Sequence, residues 1–192
     1  MMRKQLNWIL PVGLAVILTA CGNNGDSNSD DQSDMDHDEM EMEMDHGDMD
    51  HSSSGELPDG LQDAENPTYE VGGQAIITDG HMEGMEGSEA TIVGAYDTVA
   101  YSVSYTPTTG GERVEDHKWV IQEEIEENSQ EPFEPGSEVT LEADHMEGMD
   151  GATATIDSLD QTTVYMIDFT SSNGDEITNH KWVTEDELSP VE

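Results

Sequence analysis

Cysteine is nearly absent from this 192-residue chain: Cys21 is the only one, so no internal disulfide holds any part of it together. Basic side chains are almost as scarce, with five Lys and Arg against 45 Asp and Glu and a formal net charge of −40. Nucleic acid is excluded as a partner, because neutralising phosphates takes clustered Lys and Arg. There is no nucleophile elbow, phosphate loop or zinc-protease helix motif, and among so many carboxylates no acid and base pair stands out. The chain therefore reads as non-catalytic. No stretch supports a helix longer than a turn or two, the best being Gln122 to Glu127 and Glu185 to Leu188.

Long apolar runs are missing too. The longest, Trp8 to Ala20, is too short to span a bilayer. With Arg3 and Lys4 in front, it reads as a signal peptide over residues 1–20. Leu18-Thr19-Ala20-Cys21 resembles the lipobox of bacterial lipoproteins, which implies cleavage before Cys21 and a diacylglycerol on its thiol. One lipid on a polar tether would hold the protein on the outer face of the cell membrane without spanning it. The alternative is a secreted protein with a free leading cysteine. Removing residues 1–20 leaves three basic against 45 acidic residues, a net charge of about −42. Such self-repulsion favours solubility and opposes compactness, so molar salt is expected to stabilise the fold by screening.

Residues 21–66 form the expected tether. Up to residue 60 it carries Gly, Asn, Ser and Asp with few branched or aromatic side chains, too little apolar surface to offset the entropy of ordering. Within it, Met35, His37, Met40, Met42, Met44, His46, Met49 and His51 are interleaved with carboxylates. Thioethers suit Cu(I), imidazoles suit Cu(II), Zn and Ni, and carboxylates suit hard ions, so only a copper-like ion uses the whole set. The other reading of the tract is an acidic, solvated spacer.

From about Tyr69 the composition turns to Val, Ile, Thr and Tyr, and the chain repeats itself. At an offset of 64, Tyr69 aligns with Phe133, His81 with His145 and Tyr101 with Tyr165; one extra residue near Arg113 then shortens the offset to 63, aligning His117 with His180 and Trp119 with Trp182. The repeats span residues 67–128 and 129–192. Tyr101, Val103 and Tyr105, like Tyr165, Ile167 and Phe169, alternate with other residues at the period of a half-buried strand. Thr108 to Gly111 and Ser171 to Gly174 are turn signals leading into a strand that carries His-Lys-Trp-Val. Four or five short strands per repeat predict an all-β chain of two tandem small SH3-like barrels, a closed form that hides sheet edges.

The paired His-Met-x-Gly-Met and His-Lys-Trp-Val phrases, the duplication and the lipobox resemble the YdhK family of lipoproteins from Gram-positive bacteria. The resemblance implies tandem small β-domains in a family without an assigned activity.

In His81-Met82-Glu83-Gly84-Met85 and His145-Met146-Glu147-Gly148-Met149 the glycine permits a tight turn. Such a loop can aim His81, Met82 and Met85, and in the second repeat His145, Met146 and Met149, at one point. Period two puts His117 and Trp119 on one strand face with Lys118 opposite. His117 and His180 would then add a donor to each site, with Trp119 and Trp182 as lids. Two sites for copper are expected on this reading. The competing reading is that the Met residues fill core gaps against aromatic rings. A third makes the repeats structural or interaction modules, binding a wall polymer or protein without metal.

Overall fold

The structure, a computed structural model, describes residues 51–127 and 129–191. The signal peptide, Cys21 and the tract residues Met35 to Met49 lie outside the described residues. Eight strands follow in order: β1 (Gln62–Asp63), β2 (Gln74–Ile77), β3 (Glu89–Tyr105), β4 (Val114–Ile121), β5 (Glu138–Thr140), β6 (Thr153–Thr170), β7 (Glu176–Thr184) and β8 (Leu188–Pro190). The two expected helical stretches are single 3-10 turns, Gln122–Glu124 and Glu185–Glu187. Among the described residues no helix is long and apolar enough to cross a membrane.

The chain is all-β and duplicated, as its sequence indicates, but it does not close into two separate barrels. The eight strands make one antiparallel sheet in the order β5-β6-β3-β2-β8, with β1 and β4 also on β3 and β7 also on β6. Its spine is the pair β3 and β6, matched from Ala90 opposite Phe169 to Tyr105 opposite Ala154. Ala90/Ile92 and Tyr101 to Tyr105, which alternation suggests as separate strands, belong to one strand of 17 residues, about 55 Å long. No proline interrupts it. Where it passes Gly94 the register shifts, and a Cβ there would lie 2.3 Å from the Tyr96 hydroxyl.

A strand that long outruns a single repeat, so each core is assembled from halves of both. One core joins Ala75, Ile77, Ala90 and Ile92 of the first repeat to Tyr165, Ile167, Phe169 and Leu188 of the second. The other joins Tyr101, Val103, Tyr105 and Val120 to Val139, Leu141, Ala154 and Ile156. Between them, Tyr96, Ala100, Trp119 and Ile121 meet Val164, Met166 and Trp182. The repeats are units of sequence, while the packed units are exchanged halves.

Residues 51–66, which composition assigns to the tether, pack on this body instead. Gln62–Asp63 pairs with β3, and Ser53 donates its amide to Thr178 on β7 at 3.0 Å. Backbone and serine hydroxyl hydrogen bonds hold the segment's start on β7, while Leu61 and Ala64 pack against the central core and one of the two flanking cores.

Candidate metal-binding pocket

The turn in each His-Met-Glu-Gly-Met phrase forms as its glycine suggests. The Met85 amide donates to the Met82 carbonyl at 3.4 Å and the Met149 amide to Met146 at 3.2 Å, with Gly84 at φ +80° and Gly148 at φ +78°. The turn separates the two methionines. Met85 and Met149 are fully buried, each in one of the two cores, while Met82 and Met146 line a pocket. Met85 and Met149 are therefore packing residues, which corrects their assignment as donors.

The same pocket, of about 250 Å³, is lined by His51, His81, His117, His145 and His180, together with Lys118 and Lys181. Five of the chain's seven histidines and two of its five basic residues thus share one cavity. Instead of one site per repeat, the exchanged halves bring both phrases to a single pocket. Histidine and lysine reach it together because the alternation along β4 and β7 is broken. A two-residue step on β3, from Tyr101 to Val103, is matched by a three-residue step on β4, from Val120 to His117, and the step from Tyr165 to Ile167 is likewise matched by that from Val183 to His180. This extra residue is a bulge, which re-aims side chains. It turns Trp119 and Trp182 inward to the central core, so neither is a lid.

Beneath the pocket lie two buried carboxylates that sequence reasoning missed, Glu124 and Glu187. Glu187 Oε2 accepts from Trp119 Nε1 at 2.8 Å and from the Thr184 amide at 2.8 Å. Glu124 Oε2 accepts from Trp182 Nε1 at 3.0 Å and from the Ile121 amide at 3.2 Å. Each carboxylate also faces an imidazole: Glu124 Oε1 lies 2.7 Å from His145 Nε2, and Glu187 Oε1 lies 3.6 Å from His81 Nδ1, too far for a direct hydrogen bond. Burial raises the Glu124 carboxyl, but the His145 ring and the donated hydrogen bonds outweigh it and hold it below the ordinary range. Glu187 is likewise lowered on balance, its burial opposed by His81, the Thr184 amide and Trp119. Their sequence signal is their recurrence five residues after each Trp, hidden among 45 acidic residues.

Two of the imidazoles are paired. His81 and His180 stack with ring centroids 5.3 Å apart and present Nε2 to Nε2 at 3.2 Å. Their counterparts by the duplication, His145 and His117, line the same pocket but pair elsewhere: His145 with Glu124 and the Trp182 ring, His117 with the Tyr105 ring. Burial pushes His180 down to about 3 and His117 down to about 4, with neighbouring imidazoles adding to both shifts. Nδ1 of His81, Nε2 of His117, Nδ1 of His145 and Oε1 of Glu187 are buried without a hydrogen-bond partner. His81 Nδ1 and Glu187 Oε1 face each other at 3.6 Å, while the unpaired nitrogens of His117 and His145 belong to rings that line the cavity and call for a ligand, water or ion to satisfy them. Among the described residues, no group of three or more His, Cys, Asp or Glu stands ready as a complete metal cage.

The family model described as "Protein of unknown function (DUF1541)" matches residues 71–122 and 135–185, once in each repeat. The chain belongs to the DUF1541 family. It is 57% identical over 185 residues to the uncharacterized protein YdhK of Bacillus subtilis (strain 168), covering 94% of this chain and 86% of that relative. A crystal structure of that DUF1541 protein aligns with a TM-score of 0.73 at 60% identity, covering 76% of this chain and 100% of that one. A solution NMR structure of the YdhK C-terminal domain aligns with a TM-score of 0.60 at 63% identity, covering 62% of this chain and 92% of that one.

Proposed function

We propose that this DUF1541 protein is a membrane-anchored extracellular lipoprotein that binds a soft metal ion, copper, as a buffer or sensor at the cell surface. The observation that carries the metal reading is the 3.2 Å separation of His81 Nε2 and His180 Nε2. Metal to nitrogen bonds of about 2.0–2.1 Å put two tetrahedral donors about 3.3 Å apart, so one ion fits both rings with little movement. A thioether from Met82 or an imidazole from His117, rotated inward, supplies a third donor. Glu187 behind His81 and Glu124 behind His145 stand where a carboxylate orients a ligating imidazole. The Met component selects copper over zinc. The lipobox at Leu18 to Cys21 supports the anchor.

Anaerobic Cu(I) titration against a competing chelator tests this, using a chain that begins at residue 51. Binding at one shared pocket should survive that truncation, weaken at least tenfold in His81→Ala or His180→Ala, and be unchanged in Met85→Leu. Binding confined to residues 22–50, or none, would return the repeats to an interaction module. Cys21→Ala should release the protein from the membrane fraction.

A further inference from the structure

The duplicated loops reach the pocket by the same backbone route. The Ser172 amide donates to the Gly84 carbonyl at 2.9 Å and the Thr108 amide to the Gly148 carbonyl at 2.8 Å, so each His-Met-Glu-Gly-Met turn is pinned by a hairpin of the other repeat. Both turns bring a half-buried methionine, Met82 or Met146, to the pocket wall. The strand residues nearby are also equivalent in place: the Phe169 ring stands edge-on to His180 with centroids 5.8 Å apart, and the Tyr105 ring edge-on to His117 at 6.0 Å. At that position the copies differ by one hydroxyl.

That hydroxyl is directed at sulfur. Tyr105 is fully buried, and its Oη donates to Met146 Sδ at 3.9 Å, a long contact that suits the large, polarisable sulfur atom. A thioether is a weak acceptor, but a buried hydroxyl deprived of its partner is costly to leave unpaired. Turning Met146 toward an ion in the cavity would strip Tyr105 of this bond, and a cation draws on the same sulfur lone pairs that the hydroxyl proton uses. Met82 carries no such obligation. Phe169, in the core that Met82 packs against, has no hydroxyl to give. Met82 also follows His81 directly in the chain, the ring that stacks on His180.

We propose that Met82, and not Met146, is the thioether donor to an ion held by His81 and His180, and that the Tyr105 hydroxyl makes the choice by holding Met146 away. This rests on the metal reading above. The test is NMR of the full chain carrying 13C-methyl methionine and 15N-histidine, with Cu(I) added anaerobically to excess; Met82→Leu and Met146→Leu assign the two methyl signals. In the unaltered protein the Met82 methyl should shift together with the His81 and His180 ring nitrogens, while the Met146 methyl stays in place. In Tyr105→Phe, which keeps the ring and reproduces the residue found at Phe169, the Met146 methyl should respond as well. Equal response of both methyls in the unaltered protein, or a Met146 methyl that stays in place in Tyr105→Phe, overturns the role of Tyr105. Imidazoles that respond while the Met82 methyl does not would make Met82 a packing residue and overturn the proposal, with the pocket reading intact. If neither imidazoles nor methyls respond, the metal reading itself fails.

Discussion

Trp119 of the first repeat gives its indole N–H to Glu187 of the second, 68 positions away, at 2.8 Å. Trp182 returns the same bond from the second repeat to Glu124 of the first at 3.0 Å. These crossed bonds tie the floor of the pocket to the middle of the sheet, where neither partner has water to turn to. Trp119→Phe keeps the ring and removes the donor. A hydrogen bond to a buried charged group contributes about 1.5–3 kcal/mol, and urea denaturation should show a loss of that size. Trp182→Phe should cost about as much, because Glu124 is equally enclosed.

Acid should unfold the protein in two overlapping stages of the same sign. His180 and His117 are held near 3 and 4, below the ordinary 6.5, so the unfolded chain takes up more protons and stability falls as pH drops below about 6.5. Glu124 and Glu187, also lowered from 4.5, lose their contribution as pH falls further through their folded values. Thermal melts between pH 7.5 and 4 should show a midpoint that decreases steadily. A flat profile between pH 7 and 5 would contradict the buried, neutral state of His117 and His180.

Neither repeat should fold as a monomer by itself. Residues 67–128 hold half of each core and residues 129–191 the other halves. A chain limited to one repeat should be unfolded or dimeric by light scattering and circular dichroism. A folded monomer would disprove the exchanged packing.

Met85 and Met149 should matter for stability and not for ligand. Truncating either to Ala opens a cavity and should cost about 2–5 kcal/mol, whereas the volume-conserving change to Leu should cost under about 1.5 kcal/mol. Metal affinity of the Leu variants, measured against a chelator, should match that of the unaltered protein.

The duplication, the strand content, the Gly84 and Gly148 turns and the hairpins into β4 and β7 were all legible in the sequence, because each depends on local spacing. What was not legible depends on partners. A repeat reads identically whether its second half packs on its own first half or on the other repeat's, so the exchange, and with it the merging of two expected sites into one pocket, left no local mark. Alternation put His117 and Trp119 on one face, but a single extra residue in β4 undid it. Met82 and Met85 look equivalent until the turn sends one to the cavity and the other to the core. His51 reads from sequence as the end of the Met/His tract, either a metal donor or part of a solvated spacer, because the hydrogen bonds of Ser52 and Ser53 to β7 that place it join segments more than 120 residues apart.

The exchanged halves also decide what substitution can do to the pocket. In a two-fold dimer of a single repeat, every residue change would appear in both half-pockets at once, and neither could be altered without the other. Joining the copies in one chain removes that tie. His81 can face Glu187 at 3.6 Å while His145 sits 2.7 Å from Glu124, and Ser52–Glu56 can serve one half alone, because the covalent link lets a symmetric frame carry an asymmetric cavity.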